Sequence, residues 1–539
     1  MSESLSPTPP RFLGLPLHGS GPGWRLGAAF VAGSLAVRGL PPHQEIPGLV
    51  VAFAALLLLI QGVGWRLAAA CGFLFGLAYF SFGCSWLLTS LHGYGLLPLP
   101  VALAMLIGLG AVLALYPALF AGLLARLQPP PSALPLLVPA LWVLSEELRA
   151  VLFTGFPWNQ VGYAWHDLPW VVQSADLGGV GLLSGLTLFL AACLTLLVWP
   201  DRRAFPLRQR VIWGLTGVLL LGALAGYGRW RLADLEEKLS RQTFGKPVMT
   251  ALVQGAIPQH DKWNSEFGGD HFRLHLELTK SLKPPVDLTI WGETALAFQP
   301  EYYPSRLDQL DEMARWLKGG LLTGAPMVQY VNRKPYAVYN SLLLFTGTPG
   351  DTPRYDKHHL VPFGEYIPLR RWAFGDFKKF THGTKDFSPG PGPRVVSWAG
   401  GNLGPLICYE AIFPEEVRHL ALQGAQFLVH VTNDAWFGPS AKEQHLAMAR
   451  LRAIENRLSL ARVANTGISV VFDPLGRVIL ELPQEVRLAR QVSMPIGPGH
   501  SLFVTMPEWG RLLFWSLLGV LGLLQVWRGR KRGSIASRS

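Results

Sequence analysis

Long apolar runs constrain this 539-residue chain more than any other feature of its sequence. Each of them reaches or approaches the roughly 20 residues that cross a bilayer. They lie at 24–40, 47–63, 67–91, 96–126, 133–152, 176–199, 211–228 and 510–527. The chain is 50% hydrophobic and only 15% charged, which excludes an ordinary soluble enzyme. The sequence therefore predicts a membrane protein with eight transmembrane helices.

The basic residues indicate how such a bundle is oriented. A formal net charge of +12 is compatible with nucleic-acid binding, but the Lys and Arg residues crowd the ends of the apolar runs, so we expect no nucleic-acid partner. With eight spans they fall on one side, whereas the loops 92–95 and 153–175 contain no Lys or Arg. We therefore predict cytoplasmic termini and an outward-facing domain at 229–509. The residues on the predicted cytoplasmic side are Arg11, Arg25, Arg66, Arg126, Arg202, Arg203, Arg208, Arg210, Arg528, Arg530, Lys531 and Arg532.

Composition divides the chain into five segments. Residues 1–23 are rich in Pro, Ser and Gly and are predicted to form a disordered or surface-lying tail. A seven-helix region at 24–228 precedes the outer domain at 229–509, and the last span at 510–527 leads into a basic cytoplasmic tail at 528–539.

The outer domain has the pattern of an α/β fold. Strand-like runs lie at 247–254, 286–291, 320–329, 340–346, 403–408, 426–431, 461–465 and 468–473. Helix-like stretches lie at 268–281, 303–318, 413–423 and 441–458. This order predicts sheet layers covered by helices, in a domain large enough to bury a full core.

Cys408 is the candidate nucleophile of this domain. It ends the apolar run 403–407, and helix-starting residues follow it, so we expect the sulfur at a strand-to-helix elbow. A helix N-terminus favours a thiolate over a thiol. The other cysteines, Cys71, Cys84 and Cys193, lie in apolar runs, and the sequence contains neither a disulfide framework nor a metal-ligand spacing of Cys and His. A buried structural cysteine is the alternative interpretation.

Two other stretches supply ionisable partners for that sulfur. Glu293 ends a buried-type strand, where burial raises the pKa of a carboxylate towards what a general base needs. Lys357 and Glu365 lie eight residues apart around a Pro-Phe-Gly turn. The Lys357 ammonium is suited to stabilising an oxyanion, and Glu365 to fixing the lysine or assisting the base. Taken alone, Glu293 is a helix N-terminal charge and Lys357 a solvated lysine.

Polar and aromatic residues of three loops complete the predicted site. Asn433 follows the strand 426–431 and lies at the same sheet edge as Cys408, with Trp436 and Phe437 as pocket walls. The uncharged aromatic loop 154–165, which contains Phe156 and Trp158, is either an interfacial belt or the floor of a lipid access site. The aromatic residues Trp372, Phe374, Phe377 and Phe380 form either a mobile arm at the membrane interface or ordinary core.

Charged residues inside the fifth span are a separate question. Glu146 and Arg149 are three residues apart, so they are able to pair on one helical face, which lowers the cost of a charge near the membrane. We interpret them as structural.

The order Glu293, Lys357, Cys408, with Glu365 after the lysine, resembles the nitrilase superfamily, whose fold is an α-β-β-α sandwich. Thr-Gly-Phe-Pro-Trp at 154–158, Ile-Cys-Tyr-Glu at 407–410 and Asn-Asp-Ala-Trp-Phe-Gly at 433–438, together with the flanking spans, narrow the resemblance to its membrane-embedded branch, the apolipoprotein N-acyltransferase family. The resemblance assigns Glu293 as base, Lys357 as oxyanion stabiliser and Cys408 as nucleophile. One departure is Gly292, where the family usually has proline, so we expect a looser turn before Glu293.

The resemblance also implies a reaction and its partners. A phospholipid acylates Cys408 and a diacylglyceryl apolipoprotein receives the acyl group, in the bacterial inner membrane and with a periplasmic catalytic domain. Neither a cofactor nor a metal is expected, and we expect a monomer. Tyr409, Glu410, Asn433, Trp436, Phe437, Trp158 and Phe156 are the predicted substrate-binding residues.

Two other functions remain as alternatives. A membrane-tethered amidase of the nitrilase type uses water as the final acceptor. A transporter whose outer domain only binds solute leaves Cys408 incidental and requires polar residues along the spans, which here are largely apolar.

Overall fold

The structure, a computed structural model, describes residues 11–12, 15–16, 21–199, 201, 205–262, 268–332, 334–368 and 386–536. Its N-terminal part contains seven long helices, α1 (Gly23–Ala36), α2 (Ile46–Leu59), α3 (Trp65–Gly83), α4 (Leu99–Leu127), α5 (Leu134–Val151), α6 (Ala175–Leu197) and α7 (Leu207–Ser240). A further long helix, Glu508–Ala536, lies at the C-terminus. These helices occupy the positions of the predicted spans.

Local sequence explains where several of these helices begin and how closely they pack. A proline stands in the first turn of α2, α4 and α5, where its missing N–H costs nothing. Glycine lets α3 approach α4, because a Cβ added to Gly72 would lie 2.3 Å from the carbonyl oxygen of Pro117. The buried apolar cluster of the helical region follows from this close packing of helices.

Among the described residues, five helices are long and apolar enough to cross a membrane: α3, α4, α6, α7 and the stretch Glu508–Arg528. α1 and α2 have only 14 residues each, and α5 carries Glu146, Glu147 and Arg149. The prediction of a membrane protein is confirmed, whereas the count of eight spans stays a prediction. The helix α7 ends at Ser240 instead of residue 228, so it extends beyond the apolar run.

The outer domain contains two six-stranded sheets. The strands are β1 (Val248–Gln254), β2 (Leu288–Trp291), β3 (Gly320–Val331), β4 (Lys334–Phe345), β5 (Arg354–Asp356), β6 (Val396–Trp398), β7 (Gly401–Ile407), β8 (Phe427–Thr432), β9 (Ser459–Ala464), β10 (Val470–Phe472), β11 (Val478–Glu481) and β12 (Leu488–Met494). The first sheet has the order β12-β1-β2-β3-β4-β5 and the second the order β11-β10-β9-β8-β7-β6. Strands β1, β2 and β3 are parallel, as are β7, β8 and β9.

The two sheets pack face to face and each has a helical layer outside it. Apolar residues of both sheets, among them Leu252, Ile290, Val429 and Val463, form the shared core. The helices α8 (Gly268–Lys280) and α9 (Pro304–Leu317) cover the first sheet, while α10 (Pro414–Leu422) and α11 (Pro439–Asn456) cover the second. The predicted α-β-β-α sandwich is confirmed.

The outer domain docks on the helical region chiefly through α11. Ala441, Met448, Leu451 and Ile454 of this helix belong to the same buried cluster as the transmembrane helices. Gln444 accepts a hydrogen bond from Trp158 Nε1 at 2.6 Å. The carboxyl ends of the parallel strands, where functional groups are expected, therefore lie beside the membrane region.

Some predictions need correction or fall outside the described residues. Four strands were missed: β5, β6, β11 and β12. The aromatic side chains of the loop 154–165 do not form an interfacial belt, because Trp158, Tyr163 and Trp165 are buried within the protein. The arm residues Trp372, Phe374, Phe377 and Phe380 lie outside the described residues, as does most of the tail 1–23, of which Arg11–Phe12 and Leu15–Pro16 pair as two short strands.

Candidate active site

Cys408 lies directly after β7, at a sharp elbow between that strand and a 3₁₀ turn, Cys408–Ile412. Its φ angle is +50°, in the left-handed region that non-glycine residues rarely adopt. Such strain persists only where the surroundings enforce it, and it is characteristic of functional residues. The elbow predicted from the sequence is therefore present.

Two histidines hold this strained backbone. His430 Nε2 lies 3.0 Å and His445 Nε2 lies 3.2 Å from the carbonyl oxygen of Cys408. Because a carbonyl only accepts, both rings donate from Nε2, and their Nδ1 atoms face Arg462, at 2.9 Å from His430 and 3.4 Å from His445. Arg462 is in turn paired with the buried Asp434 at 2.6 Å. Burial and the nearby Arg462 lower the pKa of His430 well below its usual value, so the ring is neutral.

Glu293 follows β2 in the other sheet and is 8% exposed. Its Oε1 accepts a hydrogen bond of 2.9 Å from Asn340 Nδ2, and the same amide donates to Glu365 Oε1 at 3.1 Å. Burial raises the pKa of Glu293, and Lys357 opposes this rise. A carboxylate whose pKa is raised but which has a cation nearby is suited to accept a proton near neutral pH.

Lys357 follows β5 and is almost fully buried. Its Nζ lies 2.8 Å from Glu365 Oε2. Burial disfavours the ammonium, but Glu365, Cys408 and Glu293 together raise the pKa of Lys357 above its usual value, so this side chain is positively charged. The structure thus brings Glu293, Lys357, Glu365 and Cys408 together between the carboxyl ends of the two sheets.

The protonation of Cys408 decides whether the reaction needs a base. A helix N-terminus favours a thiolate, but burial and then Glu293 raise the pKa of this thiol to about 12, despite the opposing charge of Lys357. The resting sulfur is therefore a thiol. It needs a base during the reaction, and Glu293 is close enough to influence its ionisation.

Glu410 is better described as a positioning residue than as part of a substrate surface. Its carboxylate is fully buried and accepts hydrogen bonds from Ile407 N at 2.7 Å, His358 N at 2.7 Å and Tyr355 Oη at 2.8 Å. These donors flank Cys408 on one side and Lys357 on the other. Glu410 therefore fixes the nucleophile elbow relative to the lysine loop.

Comparisons with known protein families and sequences show to which family this chain belongs. Residues 32–193 match the family model of the apolipoprotein N-acyltransferase N-terminal domain, and residues 249–492 match the carbon-nitrogen hydrolase model. An apolipoprotein N-acyltransferase of Geobacter metallireducens is 35% identical over 88% of this chain and 90% of its own length. The chain belongs to the apolipoprotein N-acyltransferase family. Relatives of the same name from Nitrosomonas europaea (35% identical, covering 94% of this chain and 99% of that protein) and Vibrio vulnificus (33%, 94% and 97%) match along almost the whole length.

The other predicted substrate residues of this family member divide into two groups. Trp158 and Asn433 are buried and bonded within the protein, Trp158 to Gln444 and Asn433 Nδ2 to Gln259 Oε1 at 2.7 Å. Phe156, Trp436 and Phe437 are half-buried and remain available as pocket walls. Phe437 packs edge-on against Trp86, with ring centroids 5.0 Å apart.

Tyr409 joins the nucleophile elbow to the helical region. Its hydroxyl donates to the carbonyl oxygen of Gly155 at 3.3 Å. Glu146 and Arg149 of α5 hold the following loop, since Glu146 Oε1 accepts from Val161 N at 2.9 Å and Arg149 Nη1 donates to Trp158 O at 2.6 Å. The predicted pairing of Glu146 with Arg149 is not among the ion pairs of the described residues, and both side chains instead hold the loop.

Sequence reasoning missed Asn340, Lys262 and the pair His430 and His445. Asn340 lies within β4 and Lys262 in an irregular loop, neither of which carries a motif. Only the fold brings Asn340 and Lys262 to Glu293, which follows β2. The strand β4, which carries Asn340, is separated from β2 only by β3, and the loop with Lys262 follows β1, the other neighbour of β2.

Proposed function

We propose that this chain transfers an acyl group from a phospholipid to the α-amine of the diacylglyceryl cysteine of an apolipoprotein. The relatives that match it along nearly their whole length are named for apolipoprotein N-acylation. The observation that carries the proposal is the position of the nucleophile: Tyr409, next to Cys408, bonds to Gly155 of the loop that follows α5. A nucleophile this close to the helical region favours substrates that stay in a bilayer.

In the first step, Glu293 takes the proton of the Cys408 thiol and the sulfur attacks the ester carbonyl carbon of the phospholipid. The ammonium of Lys357 stabilises the oxyanion that forms, which is the role that a preorganised cation performs best in a buried site. The carbon–oxygen bond of the ester then breaks, and Glu293 returns the proton to the departing oxygen. The products are a thioester on Cys408 and a lysophospholipid.

In the second step, the uncharged α-amine of the apolipoprotein attacks the thioester carbonyl. Glu293 accepts the proton that the nitrogen loses and delivers it to the departing sulfur of Cys408. Splitting one transfer into two steps makes each barrier lower. The product is an amide, and the enzyme returns to its thiol form.

The setting of the reaction is part of the proposal. We expect the bacterial inner membrane, with a periplasmic catalytic domain, both termini in the cytoplasm, a monomeric enzyme and no cofactor. The distribution of Lys and Arg supports this orientation.

The main alternative is an amidase that uses water as the acceptor. Incubating the detergent-solubilised full chain with phospholipid and a diacylated cysteinyl peptide separates the two functions by mass spectrometry. We expect an N-acylated peptide and an equal amount of lysophospholipid. Release of free fatty acid with an unchanged peptide would favour the amidase. Omitting the peptide serves as the control, because the transferase then stops at the acyl-enzyme.

A further inference from the structure

Lys262 is a buried cation beside the acid of the active site. It is 2% exposed, and its Nζ donates a hydrogen bond of 2.8 Å to the carbonyl oxygen of Glu293. A buried ammonium is costly unless charged or hydrogen-bonding groups compensate it. The buried position of Lys262 therefore indicates a role that involves Glu293.

A small cavity adjoins this contact. Its volume is about 10 Å³, and Lys262, His275, Gly292, Glu293 and Asn465 are among its lining residues. Such a space holds one water molecule at most, so it is not a substrate subsite. Lys262 therefore acts on Glu293 itself, through its main-chain carbonyl, and not on a bound substrate.

Hydrogen bonds from two other residues hold Glu293 in position. Gly292 precedes the acid and has the conformational freedom of glycine, while Thr294 after it has a φ of +49°. Asn340 holds the Glu293 carboxylate, and Lys262 holds its main-chain carbonyl. Together the two bonds fix both ends of the residue.

The positive charge of Lys262 also supports Glu293 as the base. Burial lowers the pKa of Lys262 to about 8, while Glu293 and Cys408 oppose this change, so the ammonium is mostly charged at neutral pH. Its charge counteracts the burial that raises the pKa of Glu293. Without it, more of Glu293 would be protonated and unable to act as a base.

We propose that Lys262 is a positioning residue for Glu293, which it holds in place and keeps ionised for proton transfer from Cys408. The inference rests on the proposed function, because it assigns Glu293 as the base. It adds a second lysine to the site, with a role different from that of Lys357, which pairs with Glu365.

A double-mutant cycle tests this role through the rate of acyl-enzyme formation on Cys408. Lys262→Met in the otherwise native full chain is expected to lower that rate by about tenfold or more, the effect of losing a charged hydrogen bond. In a Glu293→Gln background the same change is expected to cost less than about threefold, because residues that act through one another are not additive. Equal losses in both backgrounds would overturn the inference.

The pH profile supplies a readout that a merely structural lysine would not move. Removing a nearby positive charge raises the pKa of Glu293, so the acid limb of acyl-enzyme formation should shift upward by about one pH unit in Lys262→Met. Lys262→Arg retains the charge, so its acid limb should lie close to the pH of the native limb. His275→Gln alters the same cavity without removing that charge and should leave the limb in place.

The remaining outcomes are also decisive. An unshifted limb in Lys262→Met would overturn the inference, as would failure of both the Met and Arg variants to fold, since the lysine would then be structural. A native chain that forms no acyl-enzyme would instead contradict the proposed function, and this result is read before any variant is compared.

Discussion

Two clusters of charged side chains have different consequences for the protein: one joins the helical region to the outer domain, and the other lies within the outer domain. The docking cluster consists of Asp176, Arg457, Arg231, Gln173 and Tyr227. Asp176 Oδ2 accepts from Arg457 Nη2 at 2.7 Å and from Arg231 Nε at 2.9 Å, while its Oδ1 accepts from Tyr227 at 2.8 Å. Arg457 Nε also donates to Asp176 Oδ2, at 3.0 Å, and the remaining guanidinium hydrogen bonds go to Gln173 and the carbonyl oxygen of Pro474. Every charge of the cluster has several bonded partners.

The catalytic cluster of Cys408, Glu293, Lys357 and Glu365 is buried, as Asp176 and Arg457 are, but most of its groups have fewer bonded partners. Its thiol and its acid both have pKa values raised by burial, and a single amide, that of Asn340, serves two carboxylates. Burial alone therefore does not make a site reactive. The difference lies in how many donors and acceptors satisfy each group, so the docking cluster confers rigidity and the catalytic cluster retains a proton that is able to move.

The largest effect is expected from removing the sulfur. Cys408→Ala should abolish acyl-enzyme formation, because no other group occupies the elbow. The side chain is small, so the thermal unfolding temperature in detergent should stay close to that of the native chain. Intact-protein mass spectrometry after incubation with phospholipid measures the first quantity, and residual acylation at the native rate would contradict the assignment of the nucleophile.

Replacing the base should leave a small residual rate. Glu293→Gln keeps the shape and the bond from Asn340 but cannot accept a proton, so acyl-enzyme formation should fall by about 10²–10⁴-fold. Mass spectrometry of samples quenched at set times gives the rate. The matched control is Glu301→Gln, which changes a glutamate outside the catalytic cluster. A loss of less than about twofold would mean that Glu293 is not the base.

The docking cluster should respond in stability rather than in chemistry. Arg457→Met leaves Asp176 buried with fewer partners, which should lower the free energy of unfolding by about 3–5 kcal/mol. Chemical denaturation in detergent measures the change. The folded fraction should still acylate Cys408 at a near-native rate, and a selective loss of chemistry in a stably folded variant would break the distinction between the clusters.

The smallest effect is expected at the shared amide. Asn340→Leu removes the donor that Glu293 and Glu365 share and leaves carboxylate oxygens unpaired, which should lower acyl-enzyme formation by about tenfold. The pKa of Glu293 should rise further, so the acid limb of the rate should move to higher pH. A profile that is unchanged in both rate and pH would show that Asn340 only fills space.

The sequence predicted the central strands because they are largely buried and rich in apolar residues, as β7 and β8 are. The four strands that were missed, β5, β6, β11 and β12, are all sheet edges. Edge strands bury less, as β11 does, and several carry polar side chains, as β5 and β12 do, so their apolar signal is weak.

The site shows the same division. Cys408, Glu293, Lys357 and Glu365 lie in motifs at strand ends and were predicted from them. Lys262 and Asn340 were not, because their contact with Glu293 depends on which strands become neighbours, and local pattern does not encode that pairing. The pKa of Cys408 was also beyond the sequence, since it depends on burial by residues distant along the chain.

The central claim is that Glu293, Lys357 and Cys408 form one active site in which Cys408 is acylated. Its most direct test is the mass of the full chain after incubation with a phospholipid of defined acyl chains. We predict an increase equal to one acyl group, located on the peptide that contains Cys408 and removed by hydroxylamine, as a thioester requires. An unmodified Cys408, or an acyl group attached at another residue, would contradict it.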